Sequence, residues 1–204
     1  MNNQTAAAVE PLWSTFHQDM CRHTVYLGRT SVLRRLTIFG VNQALWALWT
    51  YRFGRMVKTR RLPVVGPVLW ILYRLLEAPT RTITGIYLDV DARIGPGLFL
   101  GHFGGTYIGP GVVMGRNCNV GQTCFVGASG DVDRPGAPIL GDRVYVGVGS
   151  KVIGQVVIAN GVAIGANAAV MDDLPENATA VGNPATVINY NGSNKYIRTM
   201  DDTP

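Results

Sequence analysis

A run of six-residue repeats is the constraint that every other feature of this chain must fit. An aliphatic residue recurs at Leu88, Ile94 and Leu100, then after a step of eight at Ile108, Met114, Val120 and Val126. It resumes at Leu140, Val146, Val152, Ile158, Ile164 and Val170 without a slip. Four places on, the companion residue is small or short: Ala92, Val112, Cys118, Cys124, Val144, Ser150, Val156, Val162 and Ala168, with Leu98 the exception. A period of six is neither that of a helix nor that of simple strand alternation. It suits a short strand and a turn, repeated three times per coil of a triangular parallel β-helix. One aliphatic side chain then points inward on each face, and the small residue fills the corner. The hexads predict about four coils, a prism roughly 20 Å long at ~4.8 Å per coil.

Such a fold turns constantly, and 25 glycines in 204 residues supply the turns without a collagen period or a Gly/Ser linker. With 47% hydrophobic and only 15% charged residues, disorder is excluded as the default. The two breaks in the period locate function. The first is Leu100-Gly101-His102-Phe103-Gly104-Gly105, which adds two residues and one histidine. The second is the loop from Gly127 to Pro138. A solenoid carries insertions on its surface, often on the binding face. By phase, His102 sits two places after the inward Leu100, in an outward slot. The histidine is the one reactive group that interrupts the scaffold and reads as the centre of an active site; a purely structural histidine is the alternative.

Ahead of the repeats, apolar periodicity predicts helices over 11–27, 31–59 and 68–82. The net charge of +5 comes from this front half, in Arg34, Arg35, Arg52, Arg55, Lys58, Arg60, Arg61, Arg74 and Arg81. These cations suit an anionic lipid, an acidic partner or a solvated helix face. Trp46, Trp49 and Trp70 beside the arginines suit an interfacial helix pair on a membrane, or else packing on neighbouring subunits or on the repeats. No nucleic-acid motif accompanies the charge. His17 and His23 have no carboxylate at useful spacing and read as packing or surface residues. Cys21, Cys118 and Cys124 form neither a disulfide framework nor a metal-ligand spacing, so no metal is expected; Cys118 and Cys124 fall on corner positions of the core. No secretory signal and no long apolar run is visible, which places the expected site in the cytoplasm, with peripheral contact at the inner face of the membrane if the helices bind lipid. The chain divides into a helical region over 1–84, repeats over 85–188 and a loosely ordered tail over 189–204.

The hexads, the Gly101-His102-Phe103-Gly104 element, the loop and Val181-Gly182-Asn183-Pro184-Ala185 resemble the left-handed β-helix (hexapeptide-repeat) acyltransferases over about residues 85–188. The branch is that of serine acetyltransferase and its relatives in capsule and exopolysaccharide loci. The helical front, with Leu72-Tyr73-Arg74-Leu75 before Thr84-Gly85-Ile86, is more similar to the polysaccharide-locus relatives. The resemblance implies a mainly β fold, a left-handed parallel β-helix with an N-terminal α-helical region. It implies acetyl-CoA as co-substrate, no metal, and a homotrimer with sites between subunits. His102 becomes the general base, and backbone donors at Gly104 or Gly105 serve the oxyanion. Coenzyme A is expected along the later coils past Gly147, Gly165 and Ala166, with Lys151, Lys195 or Arg198 as phosphate cations.

This sequence departs from serine acetyltransferase at three places. The aspartate found there fifteen residues before the histidine is Tyr87 here. Asp89 is the nearest replacement as the group orienting His102, and Tyr87 is left with Arg134 on the acceptor side. The acidic residue preceding the histidine is Gly101. The Arg-His-Pro of the loop gives way to Asp133-Arg134-Pro135-Gly136-Ala137-Pro138. An amino acid needs an anion for its ammonium and cations for its carboxylate. The expectation is therefore an O-acetyltransferase acting on a sugar hydroxyl in surface or exopolysaccharide biosynthesis. Serine O-acetyltransferase of cysteine biosynthesis is the alternative, and a non-enzymatic scaffold a third reading.

Overall fold

Strand pairing spells out the repeat. Tyr107 pairs with Phe125, and Tyr145 with Ala163, partners eighteen residues apart, or three hexads. Where the His102 segment adds two residues the step is twenty, from Tyr87 to Tyr107. Where the Gly127–Pro138 loop adds eight it is twenty-six, from Asn119 to Tyr145. Each insertion lengthens one coil and leaves the ladder in register.

The computed structural model describes residues 11–25, 32–60, 62–130, 132 and 135–199. The solenoid has three sheets. The first face stacks β1 (Ile86–Leu88), β4 (Thr106–Ile108), β7 (Phe125–Gly127), β10 (Lys151–Ile153) and β13 (Ala169–Val170). The second stacks β2 (Arg93–Ile94), β5 (Val113–Met114), β8 (Ile139–Leu140) and β11 (Val157–Ile158). The third stacks β3 (Phe99–Leu100), β6 (Asn119–Val120), β9 (Tyr145–Val146), β12 (Ala163–Ile164) and β14 (Thr179–Val181), with β15 (Thr186–Asn189) antiparallel at its end. This is a left-handed parallel β-helix with an N-terminal helical region. The aliphatic column and the corner residues are all buried, Leu98 included. Burial pushes the Cys118 thiol up to about 12 and raises that of Cys124, so both behave as core.

The solenoid makes five coils rather than four. Leu174 bridges Ile158 and β14 pairs with β12, so the segment after Asp172 continues the solenoid beyond the last hexad at Val170. The chain then returns along the third face. Ser193 and Ile197 are buried, Tyr196 stacks on Tyr145 with centroids 4.5 Å apart, and the Asn119 Nδ2 donates to the Tyr196 carbonyl at 2.9 Å. The described part of the tail is therefore packed, not loose.

Among the described residues four helices precede the solenoid: α1 (Leu12–Thr24), α2 (Val32–Val41), α3 (Gln43–Arg60) and α4 (Gly66–Thr84). The single helix expected over 31–59 is two, because Asn42 turns its side chain to accept from the Ala44 amide at 3.0 Å and caps α3. Tyr26 and Leu27, the expected end of the first helix, lie outside the described residues. A first coil has one unpaired backbone edge, which must find partners if it is buried. The helices supply them from side chains. Asp19 Oδ1 accepts from the amides of Gly97 (2.9 Å) and Leu98 (3.0 Å). Arg52 donates to the carbonyls of Ile94 (2.5 Å) and Gly95 (2.7 Å) and pairs with Asp19 at 2.8 Å. The Tyr51 hydroxyl bridges the Ala92 carbonyl and the Ile94 amide, Arg22 reaches the Gly97 carbonyl, and Arg55 that of Val90. Leu45, Leu48 and Phe16 join the solenoid core above this edge.

Candidate active site

His102 lies on the corner between the third and first faces, in the two-residue excursion that joins β3 to β4. Its side chain is exposed, and among the described residues it has no hydrogen-bond partner. Phe103 beside it is 65% exposed. The excursion is held by its backbone. The Gly104 amide donates to the Thr84 carbonyl at 2.7 Å, and the Gly104 carbonyl accepts from Thr123 at 3.1 Å. The first bond removes Gly104 from the candidate oxyanion donors, because its N–H is already engaged; Gly105 keeps that candidacy. Gly105 (φ 65°), Thr123 (φ 56°), Gly149 (φ 73°) and Asn167 (φ 57°) repeat one left-handed corner position along this edge. Only Thr123, β-branched, is costly there, and it sits directly against the His102 loop.

Down the same edge come Gln122, Val148 and Ala166, one per coil, so Ala166 is about 14 Å from the His102 level at ~4.8 Å per coil. Val148 and Ala166 are exposed, and Lys151 is exposed at the start of β10. The residues expected to hold coenzyme A are thus brought to the edge that carries His102. Two of them do something else as well. A Cβ on Gly147 would lie 2.6 Å from the Ile164 carbonyl oxygen, and one on Gly165 2.7 Å from Val181. Those glycines are required by coil-on-coil packing, and Gly147 is buried. The surface open to a ligand is Val148, Ala166 and Lys151. Val148 escaped the sequence reading because it occupies a turn slot with no chemical signature.

The residues expected to orient His102 and contact the acceptor stand elsewhere. Asp89 lies at the opposite edge of the first face. It accepts the Tyr87 hydroxyl at 2.7 Å and the Asp91 amide at 2.7 Å, and it does not meet His102 within the chain. Tyr87 therefore donates to Asp89 instead of accepting from the imidazole. Burial, and then the Asp89 carboxylate, raise its pKa. Its ring stacks on Tyr107 (5.0 Å), which stacks on Phe125 (5.1 Å), and Arg81 lies 5.5 Å from the Tyr87 centroid. Arg134 lies outside the described residues. Lys195 and Arg198 are both exposed on the returning tail, and Lys195 sits, with Tyr196, over the third face, away from the His102 edge. Among the described residues no cluster of three or more metal-ligating side chains occurs.

The most consequential polar residues missed in the sequence are Asp19, Arg22, Tyr51 and Arg52. One signal was available. In the described helices Asp19 and Glu77 are the two carboxylates among many cations, and a lone acid on a basic helix invites the question of what it holds. His23 was read as a packing residue and is one: it is buried, its Nδ1–H donates to the Asp19 carbonyl at 2.8 Å, and its Nε2 accepts from the Leu100 amide at 3.4 Å.

A left-handed β-helix bearing one exposed histidine at a break in its hexads defines a hexapeptide-repeat acyltransferase. No family model matches the chain. It is 37% identical over 142 residues to the serine acetyltransferase of Helicobacter pylori (strain ATCC 700392 / 26695), covering 70% of this chain and 79% of that protein. It is 35% identical over 146 residues to that of Synechococcus elongatus, covering 72% of this chain and 57% of the relative. Among solved structures it resembles soybean serine acetyltransferase complexed with serine, with a TM-score of 0.72, 25% identity, and 87% of this chain and 69% of that one covered. The Brucella abortus enzyme in complex with coenzyme A superposes with a TM-score of 0.73 at 23% identity, over 90% of this chain and 70% of that one. The chain belongs to the serine acetyltransferase family, and it is an acetyl-CoA-dependent acyltransferase. The sugar hydroxyl of exopolysaccharide biosynthesis, expected from Gly101 and the altered loop, is overturned by these relatives. Gly101 and the altered loop are local departures within a stretch of 142 residues whose 37% identity carries the family.

Proposed function

We propose that this protein is a serine O-acetyltransferase that moves the acetyl group of acetyl-CoA to the hydroxyl of L-serine, with His102 as general base. The observation that carries this is His102 itself, exposed at the break in the repeat of a chain belonging to this family. A serine hydroxyl is a weak nucleophile at neutral pH. The imidazole accepts its proton as the oxygen attacks the thioester carbonyl, and the Gly105 amide is the local candidate to donate to the oxyanion. Collapse breaks the C–S bond, and the imidazolium returns the proton to the departing thiolate. The pantetheine arm runs over Val148 and Ala166, and Lys151 serves a phosphate.

The same reading includes a homotrimer with sites between subunits. What supports it is that His102 finds no orienting carboxylate among the described residues of its own chain, while Asp89 and Asp91 stand across the first face with the aromatic column Tyr87, Tyr107 and Phe125 between. Sedimentation equilibrium is expected to give three times the chain mass. In a thiol-release assay, L-serine with acetyl-CoA is expected to turn over. His102→Ala is expected to lower kcat by about 10²–10⁴-fold with an unchanged circular dichroism spectrum. Absence of serine turnover overturns the acceptor, and full activity in His102→Ala overturns the mechanism.

A further inference from the structure

Two of the tryptophans that suggested a membrane surface, Trp46 and Trp49, pack within the helical region. Trp49 packs on Trp13 and Phe16, and Trp46 is half-buried with its indole N–H on the Phe39 carbonyl. An exposed apolar face runs along α4. Tyr73, Glu77 and Thr84 turn that helix toward the protein. Opposite them Val68 (67% exposed), Ile71 (60%), Leu72 (44%), Leu75 (67%) and Ile83 (59%) form a stripe at helical spacing. It is about 22 Å long, which suits a helix lying in an interface and not one crossing a bilayer. No helix among the described residues is long and apolar enough to cross a membrane.

Charge selects the occupant. Before Gly85 the described residues hold two carboxylates, Asp19 and Glu77, and both are buried. Asp19 pairs with Arg52, and Glu77 lies between Arg74 (3.6 Å) and Arg81 (3.5 Å), which border the α4 stripe and are themselves more than half exposed. Arg34 and Arg60 are exposed cations as well, while Lys58 is paired with Asp91. A helical region that shows cations and no described carboxylate would repel a second copy of itself across this face. It complements an anionic surface.

We infer that the exposed face of α4 docks on a bilayer containing anionic lipid, with Leu72 and Leu75 entering the acyl boundary and Arg74 and Arg81 reaching the headgroups. The test is flotation of the full-length protein with vesicles of phosphatidylcholine alone and of phosphatidylcholine with phosphatidylglycerol. Binding is expected only to the anionic vesicles and is expected to weaken as salt is raised. The double variant Leu72→Asp/Leu75→Asp is expected to lower partitioning at least about tenfold, with acetyl transfer in solution unchanged. Arg74→Ala is expected to lower it by a few fold. Equal binding to both vesicle types, or binding indifferent to the double variant, overturns the inference. So does a fall in oligomer mass caused by the double variant without vesicle binding in the parent, which makes the stripe a contact between copies.

Discussion

His102 and His23 are separated in kind by one property that the sequence encodes only for the first. Hexad phase places His102 two residues after an inward leucine, so its exposure was legible. His23 lies in a helix whose partner, the edge of β3, is more than seventy residues away, and no local pattern announces that contact. Burial lowers its pKa from 6.5, opposed by the Asp19 backbone bond and carboxylate and reinforced by Arg22. The sign follows from proton linkage. Below about pH 6.5 the unfolded chain binds a proton that the folded chain refuses, so stability is complete above that pH and is lost as pH falls. Thermal unfolding followed at about pH 7.5 and about pH 5 is expected to show a lower midpoint in acid. His23→Gln, which keeps one donor and one acceptor, is expected to shrink that difference. An undiminished difference in the variant would falsify the assignment.

At the scale of the element, the helices act as a substitute strand for the first coil. The repeats were legible because each hexad is a local rule obeyed again and again. The cap was not, because it uses side chains on α1 and α3 to do what backbone does elsewhere, and the arginines that do it look like any solvated basic face. Arg52 and Arg55 were counted as surface charge, yet both donate to first-coil carbonyls. Removing one member of a buried ion pair costs about 3–5 kcal/mol. Asp19→Ala is therefore expected to lower Tm by about 10 °C in a chain of this size. Many buried pairs are replaced by apolar residues without loss. This one differs, since Asp19→Leu with Arg52→Met also strips partners from Gly97, Leu98, Ile94 and Gly95. The double variant is expected to be no more stable than either single variant, as read by calorimetry.

Across the whole molecule the first helix and the returning tail meet at one side chain. Asn119 points outward from β6 on the third face, takes Arg22 of α1 on its Oδ1 and gives its Nδ2–H to the carbonyl of Tyr196. The N-terminal cap, the solenoid and the returning tail are thus joined through a residue that hexad phase marks only as an outward polar position. The tail itself shows little apolar periodicity, so its packing rests on non-local partners: Ser193 on the Arg143 carbonyl and the Gly161 carbonyl, and Tyr196 on Tyr145. Asn119→Leu keeps the volume and removes both bonds, leaving the buried Arg22 short of one acceptor at a cost of about 1–3 kcal/mol. Hydrogen exchange is expected to quicken in two segments far apart in sequence, the last turn of α1 and residues 193–199, while the strands of the solenoid interior keep their protection. Tyr145→Leu is the control: it removes the ring under Tyr196 and is expected to loosen the tail alone. If Asn119→Leu also loosens only the tail, Arg22 is held well enough by its other contacts, that with the Gly97 carbonyl among them, and α1 and the returning tail are neighbours on the third face without being coupled through it.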